Sequence, residues 1–345
     1  MSKSITIPIM QAVGMALLHD ITEIKPGEFK GVAFKKGHII TESDIPRFLS
    51  LGKENIYVLT IAKDEVHEND AAFALAKGLM GQGVEIAGQP REGKINIIAA
   101  IDGLLKIDKE RLFALNMIGE VMCATLHTNS LVKKGQIVGA TRAIPLVLSA
   151  SVLEDAVKVI TNPNGVILVK PLSIPRVGLV ITGNEVFSGR IKDAFLPVIE
   201  KKITAFGGQI VKTYYCPDDK EVIESRIREL IDLRVNMLIT TGGMSVDPDD
   251  VTRFAIRNLD IAESHYGTPV LPGAMFMLSY LNKTKLPILS IPACGMYSKI
   301  TALDIILPRI LAGDKIGRED IAEMGHGGLC MQCKECKWPV CPFCK

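Results

Sequence analysis

The stretch Thr240-Thr241-Gly242-Gly243-Met244-Ser245-Val246-Asp247-Pro248-Asp249-Asp250-Val251-Thr252 holds the densest chemistry in the chain. Adjacent glycines let a backbone turn tightly and approach a ligand without side-chain hindrance. Backbone amides at such a turn, with the hydroxyls of Thr241 and Ser245, suit a phosphate or another anionic oxygen. The carboxylates of Asp247, Asp249 and Asp250 follow at once, and Mg2+ is commonly bound by one or two carboxylates together with substrate phosphates. The same residues also fit a plain glycine turn followed by an Asp-capped helix, and spacing alone does not separate the two. A second element, Thr182-Gly183-Asn184-Glu185-Val186-Phe187-Ser188-Gly189-Arg190-Ile191-Lys192-Asp193, again joins hydroxyls, a glycine bend and acids. A third pairs Thr268-Pro269-Val270-Leu271-Pro272-Gly273-Ala274-Met275 with Ser290-Ile291-Pro292-Ala293-Cys294-Gly295. Cys294 there reads either as an activated thiolate near a helix start or, the commoner case, as a small buried hydrophobe. His265 lies just ahead of the third element, while the histidines as a set do not cluster.

The elements that must position these residues are legible around them. Arg176–Ile181 is a continuous apolar run of strand length that ends in Thr182-Gly183. A helix over 194–206 is expected next, closed by Gly207-Gly208. Then come a strand over 209–215, the loop Cys216-Pro217-Asp218-Asp219, and a helix over 220–233. A strand over 235–240 runs into Thr241-Gly242-Gly243, and an apolar run over 286–291 precedes a helix-like segment over 298–311. Strands alternating with helices of this length predict a three-layer α/β/α domain with a mostly parallel sheet covered on both faces. In such sheets ligands sit beyond the carboxyl ends of the strands. Thr182-Gly183 and Thr241-Gly242-Gly243 both occupy that position, so the two loops are expected to share one site.

Before Pro171 the texture is that of an α+β region. Strands are expected over 55–60, 94–100, 119–125 and 136–140, a helix start at Ser43-Asp44-Ile45-Pro46, and a helix over 68–81. No catalytic constellation stands out in it. The organisation expected is an α+β region over 1–172 with a break near 60–68, an α/β domain over 173–315, and a Cys-rich tail over 316–345.

VITGNEVFSGRIKDAF, PDDKEVIESRIREL, ITTGGMSVDPDDVT and LPGAMFML…LSIPACG occur in the order found in the molybdopterin-binding domain family, which this part of the chain resembles. The family includes molybdopterin adenylyltransferases and molybdopterin molybdenumtransferases, among them the C-terminal domain of gephyrin. The segment from GMALLHDITEI through FKKGHIITESDIPRFLSLGKENIYVL is similar to an abridged N-terminal region of the transferases. The resemblance implies that Thr182, Gly183, Asn184, Thr241, Gly242, Gly243, Ser245, Pro272 and Gly273 face molybdopterin and its phosphate. It makes Glu185, Asp193, Asp247, Asp249 and Asp250 candidates for handling Mg2+ or molybdate. It further implies insertion of molybdate into adenylated molybdopterin with release of AMP, and a homo-oligomer; delivery to a molybdoenzyme is an expectation that rests on the composition of the cysteine tail alone. Where the family commonly reads Thr-Gly-Asp-Glu, this chain has Asn184 before Glu185. The Asp-Gly-Tyr-Ala element of the transferases is represented only by Gly31-Val32-Ala33-Phe34. These departures fit a non-catalytic carrier or sensor of the cofactor. Asp249-Asp250-Val251-Thr252 also fits the D-D-x-T pattern of nucleotide-pyrophosphate hydrolases of the competence-damage-inducible type.

The chain ends in a second chemical signal. Cys330, Cys333, Cys336, Cys341 and Cys344 have the spacing C-x2-C-x2-C-x4-C-x2-C. Cys330 and Cys333 with Cys341 and Cys344 would make a tetrahedral zinc site, with Cys336 or His326 as substitutes. An iron–sulfur cluster is the rival, and a tail of free thiols the third reading. Clustered C-x-x-C pairs favour metal over a secreted disulfide framework. Composition closes off other classes. A formal net charge of +2 gives no nucleic-acid footprint, and aromatics at 5% offer no base-stacking platform. No apolar run approaches the ~18 residues that suggest a membrane span. The N-terminus lacks the ordered basic, apolar and cleavage regions of a signal peptide, so a cytoplasmic location is expected.

Overall fold

Arg176–Thr182 (β1) is buried from Val177 onward because neither of its faces meets water. Val177, Leu179 and Ile181 point into one apolar cluster, while Val180 points into another on the opposite face. This two-residue alternation between two cores is what a strand in the middle layer requires. The computed structural model describes residues 5–15, 17, 19–25, 29–58, 64–244, 247 and 250–345.

β1 is joined in one sheet by Gln209–Cys216 (β2), Met237–Thr241 (β3), Ile261–Tyr266 (β4), Met277–Leu281 (β5) and Pro287–Ile291 (β6). The order is β2-β1-β3-β6-β5-β4. β2, β1, β3 and β6 run parallel, and β5 and β4 are added antiparallel at one edge. The expected three-layer α/β architecture is therefore observed, and the antiparallel pair β4–β5 is an addition the apolar patterning had not indicated.

Helices cover both faces. Asn184–Phe187 (α1) is a single turn after β1, and Phe195–Thr204 (α2) follows it. Phe195, Ile199 and Ile203 of α2 pack on one face of the sheet with Leu303, Ile306 and Leu307 of a late helix, Ala302–Leu311. Lys220–Asp232 (α3) and Thr252–Arg257 (α4) cover the other face through Ile223, Ile227, Leu230, Ala255 and Ile256. Cys294–Tyr297 (α5) precedes the late helix, which is α6.

Capping side chains explain where these helices begin. Asp193 accepts hydrogen bonds from the amides of Phe195 and Leu196 at 2.8 and 3.0 Å and so starts α2. Asp219 accepts from Val222 N at 3.0 Å to start α3. α6 begins at Ala302 rather than at the expected 298, because Thr301 and Asp304 form a reciprocal capping box, with Thr301 N donating to Asp304 at 2.8 Å. Gly207, at φ +71°, closes the turn after α2 as the glycine pair predicted.

The chain divides into two units, residues 1–100, 107–126 and 135–168, and residues 101–106, 127–134 and 169–345. In the first, Ile5–Pro8 pairs with Asn55–Val58, and Ile21–Lys25 with Phe29–Phe34. Phe34 stacks on Phe48 with ring centroids 4.1 Å apart. An antiparallel sheet of Val84–Arg91, Lys94–Ala99, Ile137–Ala143 and Val121–Thr125 packs against the helix Glu68–Leu79. The expected strands over 94–100, 119–125 and 136–140 and the helix over 68–81 are thus found with small shifts at their ends, and residues 59–60 of the expected 55–60 strand lie outside the described residues. In the second unit, Asp314 is a buried charge hub. It accepts from Lys106 Nζ at 2.8 Å and Lys170 Nζ at 2.9 Å, so two short segments remote in sequence are tied to the end of α6.

Because Ile227 is fully buried between α3 and the sheet, Ile227→Ala should remove about 2–5 kcal/mol of stability. Urea unfolding followed by far-ultraviolet circular dichroism would read this as a lower midpoint at unchanged slope.

Candidate functional site

The carboxyl ends of β1 and β3 are locked together by buried hydroxyls. Thr182 Oγ1 donates to the Thr241 carbonyl oxygen at 2.9 Å and lies 3.0 Å from Thr252 Oγ1 at the start of α4. Thr182, Thr241 and Thr252 are all buried. One strand further, Thr240 Oγ1 donates to Ser290 Oγ at 2.8 Å, which joins the ends of β3 and β6 in the same manner.

The glycine turn fits over this lock with no room for a side chain. Gly242 has φ +80°, and a Cβ there would lie 2.5 Å from the Thr182 carbonyl oxygen; Gly243 has φ +58°, and a Cβ would lie 2.3 Å from Thr252 Oγ1. Both positions therefore demand glycine for conformation and for space. Gly183, at φ +137°, faces open space apart from Glu185 Oε2 at 3.8 Å from where a Cβ would stand. The first turn is held to the loop after β2 by a reciprocal pair: Asn184 N donates to Asp218 Oδ2 at 3.0 Å, and Asp218 N donates to Asn184 Oδ1 at 3.2 Å. An asparagine supplies the acceptor that this loop needs without placing a second charge beside Asp218.

The third element arrives at the same edge. Gly273, at φ +132°, packs on Ala302 at the head of α6, and Thr268 Oγ1 donates to its carbonyl at 3.0 Å. The Cys294 thiol lies against the Gly273 backbone, and burial raises its pKa, so Cys294 is a packed thiol rather than an activated one. Leu271–Pro272 is a cis peptide.

Three buried polar atoms around the Gly242–Gly243 turn have no hydrogen-bond partner: Thr241 Oγ1, Asp250 Oδ2 and Arg253 Nε. Only two other such atoms, on His19 and Asn162, occur among the described residues, so the unmet polarity of the second unit is concentrated here. Buried polar groups are normally paired, with protein, with ordered water or with a bound group. Asp247 is exposed and Asp250 half-buried. Ser245 and Asp249 lie outside the described residues.

Some expected roles are replaced by structural ones. Asp193 is committed to capping α2 and also accepts from Tyr215 OH at 3.3 Å, which leaves it poorly placed to hold metal. His265 Nε2 lies 2.9 Å from Glu263, which also pairs with Lys315, so the ring of this largely buried histidine is engaged within its own strand. Thr252, Asp218, Tyr266 and Arg253 were not singled out as site residues from the sequence. Thr252 and Asp218 lie within the D-D-x-T pattern and the Cys216–Asp219 loop, and their roles depend on which loops meet.

The cysteine tail is laced to the third element. Leu271 N donates to the Gly328 carbonyl at 2.7 Å and Cys330 N to the Leu271 carbonyl at 2.9 Å. Phe343 is buried in the same cluster as Val270 and Phe276, and Trp338 packs on that cluster's rim. Pro272, Lys299, Cys333, Cys336 and Trp338 line a cavity of about 670 Å³ there. Burial, with Cys341 and Cys330 as neighbours, pushes the Cys344 thiol up to about 11. Cys333 and Cys336 stay exposed, and among the described residues no three His, Cys, Asp or Glu side chains are gathered to hold a metal ion. The expected four-cysteine set is thus not closed, because apolar packing of Trp338 and Phe343 sets the course of the tail.

Fold and site together define a three-layer α/β domain with glycine turns beyond the ends of two adjacent parallel strands. Residues 178–312 match the family described as a probable molybdopterin binding domain, and residues 6–60 match a domain of unknown function. The resemblance to molybdopterin-binding domains thus covers residues 178–312 of the chain. A CinA-like protein of Mycobacterium avium is 36% identical over 77 residues, which cover 22% of this chain and 18% of that protein. The chain spans about a fifth of the length of the curated relatives it matches. Among solved structures, the molybdopterin biosynthesis enzyme MoaB of Thermus thermophilus is 20% identical with a TM-score of 0.35, covering 41% of this chain and 98% of that one. CinA of Thermoplasma acidophilum is 15% identical with a TM-score of 0.31, covering 35% of this chain and 89% of that one. Among the described residues no helix is long and apolar enough to cross a membrane.

Thr182→Val keeps the shape of the lock and removes its hydroxyl. It should cost about 1–3 kcal/mol, the penalty for a buried carbonyl left without its donor, measured as a fall in the urea midpoint of the full chain. An unchanged midpoint would mean that the strand ends are held by other contacts.

Proposed function

We propose that this chain binds molybdopterin at the turns following β1 and β3 and acts in making the molybdenum cofactor, by inserting molybdate into adenylated molybdopterin. The observation that carries this reading is the set of unpartnered atoms of Thr241, Asp250 and Arg253 around two glycines that leave the backbone bare. The domain family supplies the ligand class.

In the proposed reaction two dithiolene S–H groups exchange for two S–Mo bonds, and one oxo group of molybdate leaves with both protons as water. A water molecule also splits the phosphoanhydride, which releases AMP and leaves the pterin phosphate on the protein. Amides of Gly242 and Gly243, with the hydroxyls of Thr241 and Ser245, hold the phosphate. Gly183 and Asn184 border the pterin, with Pro272 and Gly273 on its far side. Asp250, whose Oδ2 lacks a partner, suits a shared Mg2+, with Asp247 and Asp249 as further donors; the ion would supply charge neutralisation at the phosphoanhydride. Glu185, exposed beside Gly183, would relay a dithiolene proton to the departing oxo group. The chain works in the cytoplasm in this reading, as a homo-oligomer that passes its product to a molybdoenzyme.

Incubation of the full chain with adenylated molybdopterin, Mg2+ and molybdate tests it. Molybdate-dependent release of AMP is expected, and Asp250→Asn should lower the rate at least tenfold. Bound pterin without release would replace the transferase with a cofactor carrier, a reading that Asn184 favours by its commitment to Asp218. Hydrolysis of ADP-ribose instead would favour the nucleotide-pyrophosphate hydrolase, to which Asp249-Asp250-Val251-Thr252 and the CinA-like relatives lend support.

Zinc at the tail is a separate proposal, resting on the spacing of Cys330, Cys333, Cys336, Cys341 and Cys344. Binding would have to draw these thiols together from the arrangement described above. Elemental analysis of the purified chain should find one equivalent of zinc, lost on replacing Cys341 and Cys344 by serine; a chain free of zinc and iron would leave the thiols without a metal role.

A further inference from the structure

Arg253 stands next to the threonine lock and belongs to none of the interactions that build it. It follows Thr252 in α4, and its guanidinium carbon lies 4.8 Å from the ring centroid of Phe254 and 5.6 Å from that of Tyr266. The Tyr266 hydroxyl donates to the Met244 carbonyl at 2.7 Å, so the arginine, the tyrosine ring and the residue that follows Gly243 are neighbours. Stacking on aromatic faces holds a guanidinium plane in one orientation and leaves its N–H edge free for an anion. Nε is buried and lacks a partner. Asp250 Oδ2, on the residue three positions earlier in the chain, is likewise unpartnered, so these two atoms do not satisfy each other. A buried cationic donor left open in this way is costly unless an anion arrives.

We propose that Arg253 recognises the ligand's phosphate, donating a charge-assisted hydrogen bond to a phosphate oxygen held at the Gly242–Met244 turn. The proposal deepens the reading given under Proposed function and rests on it. Arginine suits the task because its fork of donors matches a phosphate's oxygens and stays charged at any working pH. The same chemistry would serve the phosphate of molybdopterin or the pyrophosphate of a nucleoside diphosphate sugar.

Anaerobic calorimetric titration of the full chain separates the possibilities, with molybdopterin, dephosphorylated molybdopterin and ADP-ribose as probes. For whichever phosphorylated probe the natural chain holds, Arg253→Gln should weaken binding at least tenfold, and Arg253→Lys by less. If that probe is molybdopterin, affinity for its dephosphorylated form and the melting temperature should stay unchanged. Tight binding of ADP-ribose alone, lost in Arg253→Gln at an unchanged melting temperature, would keep the phosphate role and move the ligand class. Equal affinity in Arg253→Gln, or equal losses for the phosphorylated and dephosphorylated pterins, would overturn the role of Arg253 while leaving molybdopterin binding intact. Binding of no probe by the natural chain would remove the cofactor reading and this proposal together.

Discussion

The hydroxyl of Thr182 holds the end of one parallel strand to the end of its neighbour, and the rest of the site depends on that lock. Parallel strands present their last carbonyls in the same direction, and each needs a donor once the ladder ends. Thr182 supplies one across to Thr241 and meets Thr252, so two loops and a helix start are fixed by a single side chain. The glycine pair is a consequence. With the Thr182 carbonyl and the Thr252 hydroxyl this close, only a residue without a Cβ turns at Gly242 and Gly243. The bare backbone that suits a phosphate is what remains when the strand ends are packed this tightly.

Around this lock the sheet is held by burial on both faces. β1, β3 and β6 are buried on both faces, and alternate residues feed two separate apolar clusters. Helices then begin where a carboxylate can cap them, at Asp193, Asp219 and Asp304. This use of acids near the strand ends competes with ligand binding. Asp193 and Asp218 are engaged in holding loops, while Asp250 keeps an open oxygen. The division between structural and available carboxylates sharpens the site from a broad acidic region to a few atoms.

The cysteine tail is governed by two demands at once. Its spacing is that of a metal site, yet its observed course follows the burial of Phe343 and the packing of Trp338 against the domain's cluster. Backbone hydrogen bonds from Leu271 to Gly328 and from Cys330 to Leu271 bring the tail alongside the loop that carries Pro272. Sequence spacing carries no information on that placement, since it is set by apolar area and by free backbone groups on a loop about sixty residues away.

Much of the C-terminal domain was legible in the sequence. Runs such as Arg176–Ile181, alternating with amphipathic segments, imply parallel strands covered on both faces. In such a sheet the turns at Gly183 and Gly242–Gly243 come to the same edge. β4 and β5 were not legible, because Ile261–Tyr266 alternates only weakly and β5 sits beside the apolar run of β6. Tertiary structure alone decided which acids are free, that His265 serves Glu263, and that Arg253 lies unpaired beside Tyr266. The reason is physical: strand and helix periodicity is local and survives in a one-dimensional string, whereas the partner of a polar atom is whatever the folded chain brings within about 3 Å of it.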